Sequence, residues 1–126
     1  MKNRFKLLIV DDDLSDQMLI QKAIEKAGFN VEVTTARSGE EGLQKVSALN
    51  PEAIVVLDHS LPGMDGFEVC KKIKAVDDHL KVIICTGAIN SVGEDQAKNA
   101  KADDYCLKTS DYQALVNAIH NLLQVK

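Results

Sequence analysis

Short apolar runs alternate along this chain with longer segments whose apolar residues recur every three or four positions. That alternation is typical of an α/β fold with a parallel sheet. The predicted strands are, in chain order, residues 5–10, 31–36, 53–57, 81–85 and 104–107. Three of them, the first, third and fourth, are almost continuously apolar, which indicates central strands covered on both faces. The strand at 31–36 alternates between apolar and polar residues, which predicts a sheet edge.

The first two predicted helices have recognisable ends. The first is expected to bury an apolar stripe and to end at Gly28, a C-cap glycine. That stripe comprises Met18, Leu19, Ala23, Ile24 and Ala27. A capping box of Ser38 and Glu41 begins the second helix, which is predicted to stop near residues 50–51.

The last three predicted helices differ in the strength of their apolar pattern. The third follows Asp65-Gly66, and the fifth follows a Ser110 cap. Their core-facing residues are Phe67, Cys70 and Ile73 in the third helix and Leu115, Val116, Ile119, Leu122 and Leu123 in the fifth. The fourth, residues 91–100, has only Val92, Ala97 and Ala100 as apolar anchors and also contains a glycine, so we expect low local stability there.

Length and composition favour one domain and exclude several classes of protein. The 126 residues, 45% hydrophobic, form one predicted domain over 1–126. No segment has the length of a signal core or a membrane span, so we expect a cytoplasmic protein without a membrane partner. A net charge of −4 with scattered lysines argues against direct nucleic-acid binding. The three cysteines lack CxxC spacing, which favours buried reduced thiols over disulfides or zinc ligands.

Polar and charged residues follow four of the predicted strands. Asp11-Asp12-Asp13, Asp58, Thr86 and Lys108 come directly after the first, third, fourth and fifth strands. Ligands of open parallel sheets bind at the carboxyl ends of the strands, so these groups are expected to share a cleft. Crowded carboxylates need a cation, and Mg²⁺ is the preferred candidate. An ionised Asp58 is then a possible nucleophile toward phosphorus, while the hydroxyl, a nearby amide and the ammonium are suited to phosphoryl oxygens.

Four motifs in this order resemble a known family over the whole chain. They are IVDDD (9–13), VVLDHSLPGMDG (55–66), VIICTGA (82–88) and ADDYCLK (102–108). With them the chain resembles a receiver domain of the two-component response-regulator family, of the single-domain chemotaxis type. The resemblance implies an α/β, flavodoxin-like, doubly wound (βα)5 fold: a parallel sheet of order 2-1-3-4-5 flanked by five helices. It also implies Mg²⁺-dependent transfer of a phosphoryl group from a histidine kinase or histidine phosphotransfer protein.

The same resemblance assigns roles to individual residues. Asp58 is the implied phosphoacceptor, Asp12 a direct Mg²⁺ ligand and Asp11 its partner, acting largely through water. The backbone carbonyl of Ser60 is the implied third protein ligand. The domain would then catalyse only its own phosphorylation and dephosphorylation, and would not be an enzyme in the ordinary sense.

The implied output is a conformational switch. Thr86 is the implied switch hydroxyl, Lys108 the lysine on the phosphoryl group and Tyr105 the switch aromatic. Phosphorylation is expected to change the face formed by helix 4, strand 5 and helix 5, where a downstream effector protein would bind. His59, directly after the acceptor, is interpreted as an exposed loop residue, because the next side chain along an extended chain points away.

The chain departs from the family pattern in two places, and two other functions stay open. Thr109 follows Lys108 where the family usually has a proline after a cis peptide, and Lys101 stands where glycine is common. An aspartate-nucleophile phosphohydrolase is one alternative, because Asp11-x-Asp13-x-Ser15 is faintly similar to a haloacid-dehalogenase-like pattern. The other is a docking module with the receiver fold that is not phosphorylated, which the missing proline alone supports.

Overall fold

The computed structural model describes residues 4–49 and 52–124, in which five strands alternate with five helices. The elements are β1 (Phe5–Val10), α1 (Leu14–Ala27), β2 (Val31–Ala36), α2 (Gly39–Val46), β3 (Ile54–Asp58), α3 (Gly66–Val76), β4 (Lys81–Thr86), α4 (Ser91–Asn99), β5 (Asp104–Leu107) and α5 (Gln113–Gln124). The strands are parallel, in the order β2-β1-β3-β4-β5. Both the predicted topology and the predicted edge strand are confirmed.

The predicted strands agree with the structure to within one residue, and the small differences affect the functional residues. β3 and β4 each extend one residue further than predicted, so Asp58 and Thr86 belong to the strands themselves. Asp58 pairs in register with Cys85 of β4. The backbone of both polar residues is therefore fixed by the sheet.

The hydrophobic core lies in two layers, one on each face of the sheet. Successive side chains of a strand point to opposite faces, so a continuous apolar run supplies both layers. Leu8 and Val10 of β1 enter the layer with α2 and α3, whereas Leu7 and Ile9 enter the layer with α1 and α5. This explains why β1, β3 and β4 are apolar throughout.

The predicted core stripe of α1 is partly wrong. Met18 and Leu19 are 62% and 45% exposed, while Gln17, Ile20 and Ile24 are buried. The helix is rotated so that a glutamine faces the sheet, because the side-chain amide of Gln17 finds hydrogen-bond acceptors there. The apolar pattern alone favours the neighbouring methionine and leucine as core residues. The end of α1 is as predicted, since Gly28 adopts the left-handed conformation, with φ 79°.

The capping of α2 follows the predicted box with one difference. The Ser38 hydroxyl accepts a hydrogen bond from the Glu41 amide, at 3.1 Å. The Glu41 carboxylate accepts from the amide of Arg37 rather than from that of Ser38. The helix ends at Val46, and the predicted end near residues 50–51 lies outside the described residues.

The predicted start of α5 is wrong. The helix begins at Gln113, whose amide donates to the carboxylate of Asp111, not to Ser110. Tyr112, with φ 54°, turns the chain immediately before the helix. The apolar stripe is otherwise confirmed up to Leu122, which is partly buried; Leu123, at 42% exposure, lies outside the core.

Cys70, Cys85 and Cys106 are buried free thiols, as predicted. Lys101 adopts φ 64°, the left-handed conformation that glycine accommodates best, at the turn before β5. No helix within the described part of the chain is both long and apolar enough to cross a membrane.

Candidate functional site

Four strand ends converge at one edge of the sheet. Asp11 directly follows β1, Asp58 ends β3, Thr86 ends β4 and Lys108 directly follows β5. These four strands are neighbours, so their carboxyl ends lie side by side. The predicted meeting of carboxylates and an ammonium in one place is observed.

Three carboxylates form a tight cluster at this edge. Asp11, Asp12 and Asp58 each offer an oxygen, and these oxygens lie within 4.8 Å of one another. Asp11 is 1% exposed and Asp58 9%, while Asp12 is open to solvent. A set of carboxylate oxygens with one open side suits a hard dication such as Mg²⁺.

Lys108 provides the positive charge of the site. Its Nζ lies 3.0 Å from Asp58 Oδ1, 3.2 Å from Asp11 Oδ2 and 3.0 Å from Asp16 Oδ2. Burial lowers the pKa of this ammonium, but hydrogen bonds with Asp16 and Asp58 and the attraction of the carboxylates outweigh burial and raise the pKa above its usual range. The lysine therefore stays charged.

Burial also changes the chemistry of Asp11. The pKa of this carboxyl is raised to about 6, chiefly by burial and also by the neighbouring charge of Asp58. The amide of Asp13, which donates to Asp11 Oδ1 at 2.9 Å, and the Lys108 ammonium act in the opposite direction. A proton and a cation therefore compete for Asp11 near neutral pH.

Two side chains of α1, Asp16 and Gln17, also belong to this site, although neither is among the residues predicted for it. Gln17 Nε2 donates to the carbonyls of Asp11, at 2.7 Å, and Ala36, at 3.1 Å, which fixes the chain just after β1. Asp16 contacts Lys108 across 92 positions of the sequence. A polar residue at a core-facing helical position was the available signal for Gln17; no local signal existed for Asp16.

Asp13 has a structural task. Its carboxylate caps α1 by accepting hydrogen bonds from the amides of Ser15 and Asp16. Asp13 and Ser15 are both exposed. The similarity of Asp11-x-Asp13-x-Ser15 to a phosphohydrolase pattern is thus accounted for by helix capping.

Gly66 allows the loop after β3 to close tightly. A Cβ at this position would lie 2.4 Å from the carbonyl oxygen of Asp58 and 2.8 Å from the Cα of His59. The Gly66 amide donates to the His59 carbonyl at 2.9 Å. The glycine therefore lets α3 begin directly beside the acidic cluster. Ser60 lies in the exposed loop between them, and the role of its carbonyl stays a prediction.

Thr86 lies at the site but does not bond to its charged groups in this structure. The residue is 1% exposed, and its hydroxyl bonds within the loop after β4, donating to the Ala88 carbonyl at 3.0 Å. The Lys108 amide donates to the Thr86 carbonyl at 2.7 Å. A backbone hydrogen bond therefore links Thr86 and Lys108, although their side chains bond to different partners. The Lys108–Thr109 peptide is trans, since the described residues contain no cis peptide.

A cleft of about 510 Å³ lies beside Thr86, between the loop after β3 and the start of α4. Tyr105 and His59 line it, each with a ring centroid 6.0 Å from that of Phe67. A Cβ on Gly93 would lie 2.2 Å from the Tyr105 hydroxyl. The expectation that His59 is simply exposed is wrong: its ring is partly buried against Phe67, and its Nδ1 is buried without a hydrogen-bond partner among the described residues.

Comparisons with known proteins agree with this geometry. The family described as the response regulator receiver domain matches residues 7–120. The chain is 34% identical over 120 residues to response regulator MprA of Mycolicibacterium vanbaalenii and 33% identical over 118 residues to transcriptional regulatory protein AfsQ1 of Streptomyces coelicolor. Each alignment covers 94% of this chain but 50% and 51% of the relative. The chain thus spans about half the length of these curated relatives.

A solved structure is similar over nearly the full length of both chains. The CheY-like response regulator receiver domain protein from Methanospirillum hungatei matches with a TM-score of 0.81 and 28% identity, covering 97% of this chain and 96% of that one. The β2-β1-β3-β4-β5 fold of this chain therefore has a solved relative among receiver domains.

Proposed function

This chain belongs to the response regulator receiver domain family, and we propose that it is a phospho-accepting switch in which Asp58 receives a phosphoryl group. The donor would be a histidine kinase or a histidine phosphotransfer protein. Residues 1–126 would act as one receiver domain in the cytoplasm. Catalysis would be limited to its own phosphorylation and dephosphorylation.

The position of Asp58 carries this proposal. Asp58 ends a buried strand and is 9% exposed. Its carboxylate lies beside two further carboxylates, and the Lys108 ammonium is 3.0 Å away. A nucleophile fixed by a strand can meet a phosphorus atom in line, and positioning supplies most of the catalysis in phosphoryl transfer.

The transfer is a displacement at phosphorus. A carboxylate oxygen of Asp58 forms the new O–P bond while the P–N bond to the donor's imidazole breaks, and its electron pair stays on the nitrogen. Lys108 neutralises charge on the phosphoryl oxygens. Bound by Asp11, Asp12 and Asp58 with the Ser60 carbonyl, Mg²⁺ would supply further positive charge to those oxygens.

The same event would change the protein surface. We propose that the phosphoryl group draws the Thr86 hydroxyl away from the Ala88 carbonyl and that Tyr105 responds in the adjoining cleft. The face formed by α4, β5 and α5 would then bind a downstream effector protein. We propose no direct nucleic-acid contact by these 126 residues; the name of the longer Streptomyces relative, a transcriptional regulatory protein, applies to that protein.

Labelling with a small phosphodonor tests the proposal. The protein is incubated with Mg²⁺ and phosphoramidate, and intact mass spectrometry follows the added phosphoryl group. We expect one hydroxylamine-sensitive label per chain that is absent from Asp58→Asn and without Mg²⁺. Asp95→Asn, which removes an exposed carboxylate of α4, is the matched control and should label like the wild type.

Two other results would contradict the proposal. Labelling of Asp11 with release of phosphate over many turnovers would indicate a phosphohydrolase. No labelling, together with no binding of Mg²⁺, would indicate a docking module.

A further inference from the structure

The Lys108 ammonium is held by carboxylates of two kinds. Asp11 and Asp58 belong to the three-carboxylate cluster at the strand ends, whereas Asp16 is not a member of that cluster. Asp16 Oδ2 nevertheless lies 3.0 Å from Nζ, as close as Asp58 Oδ1. An ammonium has three N–H donors, so three acceptors match its full capacity.

The surroundings of the pair make this contact more than a surface ion pair. The side chain of Lys108 is 18% exposed and that of Asp16 29%. Asp16 belongs to the first turn of α1, where its amide donates to the cap residue Asp13 at 3.2 Å. Ile20 and Ile24 bury the same helix against the sheet. The carboxylate of Asp16 therefore extends from a rigid support.

Lys108 needs such a support because its stem is flexible. Its backbone is fixed, since its amide donates to the Thr86 carbonyl at 2.7 Å. Four rotatable bonds separate that backbone from the ammonium, and ordering a lysine side chain costs conformational entropy. Asp11 and Asp58 can hold the ammonium only while their oxygens are free of other partners. The oxygens of Asp16 lie outside the cluster, so Asp16 can hold the Lys108 ammonium both before and after phosphoryl transfer.

We propose that Asp16 is a positioning residue for phosphoryl transfer, holding the Lys108 ammonium beside Asp58 while the charge of Asp58 passes to the phosphoryl oxygens. This inference rests on the proposed function. After transfer, the phosphoryl oxygens replace Asp58 Oδ1 as a partner of Nζ, while the bond to Asp16 persists. The lysine then needs only a small movement between the two states.

A double-mutant cycle tests the contact without any phosphodonor. The variants are Asp16→Asn, Lys108→Met and the double variant, unfolded thermally in metal-free buffer. We expect Asp16→Asn to lower the midpoint by about 2–4 °C more in the wild-type background than in the Lys108→Met background. Loss of a favourable charge near the α1 N-terminus cancels in this difference, because it occurs in both backgrounds. Equal shifts of the unfolding midpoint in both backgrounds would show that Asp16 and Lys108 do not stabilise each other.

Labelling kinetics test the role in transfer. We expect Asp16→Asn to slow labelling of Asp58 about 5- to 10-fold at saturating Mg²⁺. The Mg²⁺ dissociation constant should change less than 2-fold. In the Lys108→Met background, Asp16→Asn should slow labelling by less than a further 2-fold. Glu25→Gln, which removes an exposed charge further along α1, is the matched control and should label at the wild-type rate.

The two proposals fail in different ways. If wild-type Asp58 is not labelled, the proposed function fails and the unfolding cycle still reports on the contact. If the wild type is labelled but Asp16→Asn labels equally fast, or slows labelling equally without Lys108, the positioning role alone is overturned.

Discussion

Helices α1 and α4 both border the acidic edge of the sheet, yet they are attached to it very differently. α1 has 14 residues, buries Ile20 and Ile24 to 1% exposure and bonds to two backbone carbonyls through Gln17. α4 has nine residues, buries Gly93 and Ala97, and leaves its predicted anchor Val92 67% exposed. Most of the free energy that holds a helix on a sheet comes from such buried apolar groups.

This difference assigns separate tasks to the two sides of the site. Asp16 and Gln17 of α1 hold the charged groups, where a misplacement of 1 Å would weaken phosphoryl transfer. α4 borders the cleft of Thr86 and Tyr105, where the proposed switch needs an element that can shift at low cost. In the proposed function, α1 with the charged groups that it contacts would be a fixed side for chemistry, and α4 with Thr86 and Tyr105 would be a mobile side for signalling.

Core truncation should show the largest contrast between the two helices. We expect Ile24→Ala in α1 to lower the free energy of unfolding by about 3 kcal/mol, because it leaves a cavity at a fully packed position. Ala97→Gly in α4 should cost about 1 kcal/mol, mainly from helix propensity. Urea denaturation followed by circular dichroism measures both. Similar losses for the two variants would contradict the comparison.

Hydrogen exchange should show the next largest contrast. Amides in the middle of α4 are expected to exchange roughly 10 to 100 times faster than those of α1, because fewer buried contacts must break to open the helix. Mass spectrometry of peptic peptides measures this. α5 is an internal control and should resemble α1, since Leu115 and Ile119 are fully buried. Equal protection of α4 and α1 would remove the basis for a mobile side.

The stability that Asp11 contributes at the fixed side should also depend on pH. The pKa of Asp11 is about 6 in the folded protein, above the unfolded value of roughly 4. A raised pKa means that the folded state binds this proton more tightly, so the stability that Asp11 contributes is complete below pH ~4 and is lost as the pH rises through about 6. We expect metal-free protein to lose about 1 kcal/mol from this group between pH 5 and 7.

Asp11→Asn and Mg²⁺ separate this effect from other titrations. The variant should lack that part of the pH dependence, as measured by urea denaturation at each pH. Saturating Mg²⁺ should suppress the loss in the wild type, because a bound cation favours the ionised carboxylate. Identical pH profiles for the wild type and the variant would contradict the role of Asp11.

The smallest expected effect tests the mobile side. Gly93→Ala places a Cβ against the Tyr105 hydroxyl, so we expect the ring to move outward with a change in stability below about 1 kcal/mol, since alanine also favours the helix. The chain contains two tyrosines, Tyr105 and the buried Tyr112, and no tryptophan. Iodide quenching of tyrosine emission should therefore increase in Gly93→Ala.

Tyr105→Phe provides the control for that measurement. It removes the emission of Tyr105, so quenching of the remaining Tyr112 should be weak and should not change when Gly93→Ala is added. Unchanged quenching in the single Gly93→Ala variant would show that Tyr105 is already free to move.

Helix faces show where a local pattern is insufficient. Local periodicity favours Met18 and Leu19 for the core-facing stripe of α1, because apolar residues usually face the core, yet Gln17 takes that position. A buried amide is tolerated only where partners exist, and the carbonyls of Asp11 and Ala36 are such partners. One of these carbonyls lies 19 positions away along the chain. The local sequence pattern of α1 therefore cannot reveal this hydrogen-bond partner.

The sequence by itself determined the order of strands and helices, the edge strand and the convergence of Asp11, Asp12, Asp58 and Lys108, because these follow from local periodicity and from the rule that parallel strand ends share one edge. Tertiary structure alone decided the contact of Asp16 with Lys108, the partial burial of His59 and the present hydroxyl partner of Thr86. These features depend on distances of a few ångströms between side chains on separate elements. Such distances are set by packing, which the pattern of residues along one element does not contain.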